Sequence, residues 1–245
     1  MPRIDDKMEA HKMLDNFGYS AVGIKDLGAT EYTLATIVCD RSGSVSAFQK
    51  ELEKCIKEVV SACKYSKRAD NLMVRLVTFD DRMTENHGFK LLESINLDDY
   101  DGCAAPGGRT ALYDAANNAI MATTDYGKEL AKQDFSANAI VVCLTDGDDN
   151  ASTEGANSVK KALQAATKTE ALESIVSILV GVNVQEPAMK DRLDEFHKAA
   201  GFTQYVDVGA ANAKSLAKLA TFVSQSISSQ SKSLGTGLAS KSLTF

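Results

Sequence analysis

The stretch Leu34-Ala35-Thr36-Ile37-Val38-Cys39-Asp40-Arg41-Ser42-Gly43-Ser44 decides the fold. Its first six residues read as a strand buried on both sides, because the run is nearly continuous in apolar and β-branched side chains. At Asp40 the pattern stops, and a carboxylate and two hydroxyls follow at alternate positions on a chain leaving the C-terminal edge of a sheet. Three hard oxygens turned toward one point suit Mg²⁺ or Mn²⁺, which take near-octahedral oxygen coordination and keep part of their shell for water or an incoming ligand.

Four further segments rich in Val, Ile and Leu predict strands: Asn71 to Phe79, Asn138 to Leu144, Ser174 to Gly181 and Gln204 to Val208, beside Thr33 to Cys39 itself. Between them, apolar residues at three- and four-residue spacing predict helices over Ala47 to Ala62, Ala111 to Thr123, Ser158 to Thr167, Pro187 to Ala199 and Asn212 to Ile227. Pro187 sits where a first-turn proline belongs and Gly201 where a helix stops. Alternation of strand and helix is the pattern of a doubly wound, mostly parallel α/β sheet with helices on both faces. Gly88 to Leu97 follows Phe79 too closely for a crossover helix, so it is expected as an antiparallel edge strand reached by a hairpin. Ile4 to Phe17 reads as a short amphipathic helix in an N-terminal extension over 1–31. The main domain is expected over 32–227, and 228–245 reads as a Ser-rich flexible tail in which the helical period fades.

The composition limits what the chain does. With 245 residues, 44% hydrophobic and 24% charged, it fits one large globular domain. A net charge of −6 argues against a nucleic-acid surface. The first twenty residues are broken by charges, so they form no signal-peptide core, and no apolar run approaches the roughly 20 residues that span a bilayer. Cys39, Cys55, Cys63, Cys103 and Cys143 are an odd number without a CxxC pair, which suggests structural thiols in a reducing, cytoplasmic compartment.

Two later segments add to the oxygen-bearing loop. Gly107-Gly108-Arg109 leads to Thr110 at the mouth of a helix, and the strand ending at Leu144 runs into Thr145-Asp146-Gly147-Asp148. Ligands of open α/β sheets gather beyond the strands' C-terminal ends where strand order reverses. If the strands starting at Thr33 and Asn138 are neighbours across that point, Asp40, Ser42, Ser44, Thr110 and Asp146 converge. The alternative has Ser42 and Ser44 capping the following helix and Asp146 opening a turn.

Asp40-Arg41-Ser42-Gly43-Ser44 resembles the DxSxS signature of von Willebrand factor type A domains. Thr110 in GGRT and Asp146 in LTDG match the other two elements of that family's metal-ion-dependent adhesion site (MIDAS). The resemblance covers roughly Tyr32 to Ser226. It implies a Rossmann-like sheet with one antiparallel edge strand, and Mg²⁺ (or Mn²⁺) held by Asp40, Ser42, Ser44, Thr110 and Asp146, some through water. It also implies a binding role, in which a protein partner's Asp or Glu completes the metal shell. Intracellular bacterial and phage-related relatives work beside ATPases, kinases or phosphatases, and the resemblance allows such an assembly. The chain is accordingly expected to be an intracellular adaptor and not an enzyme, with no nucleic acid or membrane as partner.

Other signals are weaker. Asp146 to Asn150 imitates a calcium loop, but Ala151 and Asn157 stand where Gly and Glu are required. Arg109 stands where a phosphate loop needs Lys. His11, His87 and His197 fall in expected helix or loop contexts, and no GxSxG elbow occurs. A metal-dependent hydrolase, or a structural subunit using its C-terminal tail, are the competing classes.

Overall fold

The computed structural model describes residues 8–13, 17–236 and 243–245. Eight strands form one sheet: β1 (Met8–His11), β2 (Tyr19–Val22), β3 (Glu31–Asp40), β4 (Leu72–Phe79), β5 (Met83–Leu91), β6 (Ser136–Thr145), β7 (Ile175–Val182) and β8 (Gln204–Gly209). Five helices accompany them: α1 (Gln49–Lys64), α2 (Leu112–Ala131), α3 (Ala156–Lys168), α4 (Pro187–Ala200) and α5 (Ala213–Ser233). Strand order is β1-β2-β5-β4-β3-β6-β7-β8, so the order reverses between β3 and β6 as expected. From β4 through β8 in that order the neighbours β4, β3, β6, β7 and β8 are parallel, while β4 with β5 and β1 with β2 are antiparallel.

The core lies on both faces of the sheet, which is why β3, β4 and β6 are mostly apolar on both sides and their buried polar side chains, such as Thr36, Arg75 and Asn138, find hydrogen-bond partners inside the protein. Ile37, Leu76, Val142 and Val180 pack with Ile56, Val60, Leu219 and Val223 of α1 and α5. On the other face Val38, Val141 and Leu179 pack with Ala115, Ala119, Leu163 and Phe196 of α2, α3 and α4. Gly201 ends α4 in the left-handed conformation, φ 80°, that favours glycine.

Three expectations are corrected. The helix expected over Ile4 to Phe17 is not formed where the chain is described: Met8–His11 is a strand paired with Tyr19–Val22, while 4–7 and 14–16 lie outside the described residues. His11 and Tyr19 stack with ring centroids 4.8 Å apart, and Tyr126 of α2 donates to Val22 O at 2.9 Å, so tertiary packing overrides the local helical pattern. The antiparallel strand begins at Met83, not Gly88, after a turn of only Asp80, Asp81 and Arg82, and Leu92–Ser94 already leave it as a 3-10 turn. Nor is it the outermost strand, because β2 lies beside it; a Cβ on Gly88 would meet Ser20 O at 1.8 Å, so only glycine permits that approach.

The third correction is at the C-terminus. The helical period does not end at Ile227: α5 runs on to Ser233, and Gln230 and Ser231 are fully buried. Beyond the undescribed residues 237–242, Leu243 and Phe245 pack against the α1/α5 side of the core.

Candidate metal site at the strand switch point

Asp40 closes β3, next to β6, so the topology delivers its carboxylate to the crevice between the two central strands. Thr145, at the end of β6, donates its hydroxyl to Asp40 Oδ2 at 2.7 Å, and the Ser42 amide donates to Asp40 Oδ1 at 2.8 Å. Ser42 Oγ and Ser44 Oγ are 3.1 Å apart, and Ser44 Oγ donates to Asp146 Oδ1 at 2.8 Å. Asp40, Ser42, Ser44 and Asp146 are thus tied into one run of close oxygens by two strand ends and one turn.

Thr110 comes from a third segment. Its amide donates to Asn150 Oδ1 at 2.9 Å, and its carbonyl accepts from the Asn150 amide at 2.9 Å and the Ala151 amide at 3.1 Å. It lines, with Ser44, Asp146, Asp148, Met189 and Arg192, a cleft of about 300 Å³. Of the five residues singled out in the sequence, Ser44, Thr110 and Asp146 line this cleft. Asp40 borders the adjoining apolar pocket that shares Asp146, and Ser42 joins through Ser44 Oγ. The capping alternative is not what the turn shows: in the 3-10 turn Gly43–Ala47, Ser42 makes no side-chain cap, and α1 starts after Phe48.

Burial pushes the Asp40 carboxyl up to about 6; the Thr145 hydroxyl and Ser42 amide oppose this, and the charge of Asp146 adds to it. Asp146 is raised for the same first reason, with Ser44 opposing. Two carboxylates drawn out of water beside each other, over a floor that includes Val45, Phe48 and Leu144, favour a positive charge between them. The Asp40 and Asp146 carboxylates and the linked Ser42 and Ser44 hydroxyls offer oxygen only, the chemistry that Mg²⁺ and Mn²⁺ accept. Among the described residues no group of three His, Cys, Asp or Glu side chains gathers to hold a metal, so any cation here depends on the hydroxyls.

The structure adds residues that sequence reasoning passed over. Thr145 and Asn150 hold Asp40 and Thr110, and Thr145 was signalled only by lying one position from Asp146. Asp148 pairs with Arg192 at 3.1 Å, and Asp149 accepts from the Tyr113 amide, so both shape the rim of the cleft. Asp80, just past β4, lies 3.1 Å from Arg41 Nη2. Burial would raise Asp80, but the Arg82 amide, the Arg41 guanidinium and the Gly108 amide outweigh it and hold the carboxyl below the usual range. His87, expected in a loop, is buried in β5, and all five cysteines are buried and unpaired.

No protein-family model matches the chain, and no curated protein matches it in sequence. In fold it is similar to the PilB minor pilin from Streptococcus sanguinis, with TM-score 0.57 and 17% identity over 82% of this chain and 62% of that one. It is similar also to proximal thread matrix protein 1 from the mussel byssus, with TM-score 0.53 and 20% identity over 80% of this chain and 46% of that one. A structure of that byssus protein with a zinc-occupied MIDAS motif gives TM-score 0.51 and 19% identity, over 80% of this chain and 46% of that one. The chain thus spans about three-fifths of the pilin and less than half of the thread protein. These likenesses show the fold, which is that of a von Willebrand A-like α/β domain. Among the described residues no helix is long and apolar enough to cross a membrane.

Proposed function

We propose that the chain is a metal-dependent interaction module, in which a divalent cation joins Asp40, Ser42, Ser44, Thr110 and Asp146 to an Asp or Glu of a protein partner. The observation that carries this reading is the hydrogen-bonded run from Asp40 through Ser42 and Ser44 to Asp146, at the crevice where strand order reverses. Hydroxyls and water are neutral, so a divalent ion bonded directly to only one of the two carboxylates keeps unbalanced positive charge. A partner's carboxylate balances it and fills the vacant position. Mg²⁺ is the proposed ion, with Mn²⁺ as its substitute. The proposed setting is the cytoplasm, which the five unpaired, buried thiols support.

The module is proposed to bind and not to catalyse. Metal-assisted hydrolysis needs a positioned base, and none of His11, His87 and His197 lines the cleft. The test is capture of partners from the native cell with Mg²⁺ and with EDTA, using wild type and Asp40→Ala. A protein partner held only by wild type in Mg²⁺ is expected. Partners indifferent to chelation and to the substitution contradict the proposal.

A further inference from the structure

Asp80 stands outside the oxygen cluster, yet three segments of the site meet on it. Its Oδ1 accepts from the Arg82 amide at 2.8 Å, which closes the β4–β5 turn. Its Oδ2 faces Arg41 Nη2 at 3.1 Å, and Arg41 is the residue between Asp40 and Ser42. Its backbone carbonyl accepts from Ala111, the neighbour of Thr110, at 2.8 Å.

The loop that delivers Thr110 closes onto the same point. Gly107 donates its amide to Arg41 O at 2.7 Å, and Gly108 O accepts from the Gly43 amide at 3.1 Å. A Cβ on Gly107 would lie 1.8 Å from Asp80 Oδ2, so the absence of a side chain is what lets this backbone reach the carboxylate. The Asp80 side chain is 7% exposed, so the carboxylate is shielded from competing water.

From this geometry we infer that Asp80 is a positioning residue for the cleft: with Arg41 it clamps segment 107–111 against the Asp40 turn and thereby sets Thr110 beside Ser44 and Asp146. The functional consequence rests on the cation-binding reading above. Asp80→Asn turns the Oδ2 acceptor into an amide donor facing Arg41 and the loop amides, or leaves Arg41 without its counter-charge. Partners that orient metal ligands from behind typically change affinity about 10–100-fold when removed.

The experiment uses the full chain and Mn²⁺ as the probe, with affinities from titration followed by electron paramagnetic resonance. The variants are Asp80→Asn, Thr110→Ala and the two combined. Each single change is expected to weaken Mn²⁺ at least about tenfold, and the double to be no weaker than the poorer single, because Thr110 is already displaced when the clamp is broken. Losses that multiply overturn the inference, since Asp80 then acts independently of Thr110. Arg41→Met removes only the ion pair and is expected to show a smaller loss with the same coupling. Hydrogen exchange on metal-free protein gives the independent arm: Asp80→Asn is expected to speed exchange at Gly107 and the segment around it, and unchanged exchange there overturns the clamp. Wild type that fails to bind Mn²⁺ refutes the proposed function, while the exchange measurement still decides the clamp.

Discussion

Ser44 Oγ donates to Asp146 Oδ1 at 2.8 Å, joining two residues 102 positions apart in the chain across the two central strands. In the absence of a cation that bond is part of what holds two desolvated carboxylates, Asp40 and Asp146, in one crevice. A ligand that binds only the folded state stabilises it by about 2.7 kcal/mol at a hundredfold excess over its Kd. For a chain of this size that corresponds to a rise in Tm of roughly 5–10 °C. Mg²⁺ or Mn²⁺ is expected to produce such a rise in wild type and none in Asp40→Asn. Without cation Asp40→Asn is expected to melt no lower than wild type, because it removes a buried charge. Calorimetry with and without EDTA checks both.

His87 makes stability depend on pH. Its Nδ1 faces Gly88 O at 2.8 Å, so that nitrogen carries the proton, and its Nε2 accepts from the Tyr100 hydroxyl at 2.7 Å. The ring is therefore held neutral, and burial lowers its pKa from 6.5 to about 4, with the Gly88 carbonyl opposing. The unfolded chain then binds the extra proton first as pH falls. The stabilisation is fully present above about pH 6.5 and is lost as pH drops toward about 4, at up to about 1.4 kcal/mol per pH unit. The Asp40 carboxyl, raised to about 6, contributes in the opposite sense over much of this range. Urea denaturation from pH 7 to 4 is therefore expected to show the His87 contribution as the difference between wild type and His87→Gln, wild type losing more stability as pH falls. Equal slopes contradict the assignment.

Arg75 is among the largest fully buried side chains and is answered by Glu85 at 2.7 Å and Asn118 Oδ1 at 3.1 Å. Glu85 also accepts from the Ser20 amide and hydroxyl, so the pair links β4 and β5 to β2. Removing one member strands a charge in the interior, which costs about 3–5 kcal/mol. Arg75→Met or Glu85→Gln is expected to lower the urea midpoint by that equivalent, and the double Arg75→Met/Glu85→Leu by less than the sum of the singles.

Gln230 latches the far end of α5. Its Nε2 donates to Ala139 O at 3.0 Å and Ser174 Oγ at 2.8 Å, and its backbone carbonyl accepts from Asn138 Nδ2 at 2.7 Å. Gln230→Ala leaves those strand-end acceptors without a donor and is expected to cost about 1–3 kcal/mol. A chain ended after Ile227 is expected to unfold at markedly lower urea than wild type. Equal midpoints contradict a structural role for 228–233.

The central elements were legible because burial on two faces writes continuous apolar strands, as in β3 and β6, and because polar residues break that pattern at Asp40, which closes β3, and at Asp146, just past β6. Thr110 was legible by its place at a helix mouth after paired glycines. The misread parts are those whose polar residues are satisfied by distant partners. Met83 to His87 looks like a loop until Glu85 meets Arg75. Gln230 and Ser231 look like tail until Ala139, Ser174 and Arg68 meet them. Four-residue strands such as β1 and β2 carry too short a pattern to compete with a helical reading, and their pairing is seen only in three dimensions. Asp80 had no signal of its own, since its meaning lies in the Gly107 and Arg41 backbone and side-chain groups closing on it.

The most direct measurement is a crystal structure grown in Mn²⁺, with diffraction recorded for anomalous scattering from manganese. One peak is predicted at the switch point, bonded to Ser42 Oγ, Ser44 Oγ and at least one of Asp40 and Asp146 at about 2.1–2.2 Å, close to the distances hard-oxygen sites impose, and with a coordination position open to solvent. A cleft without manganese at millimolar concentrations, with the Ser44–Asp146 hydrogen bond intact, would contradict it.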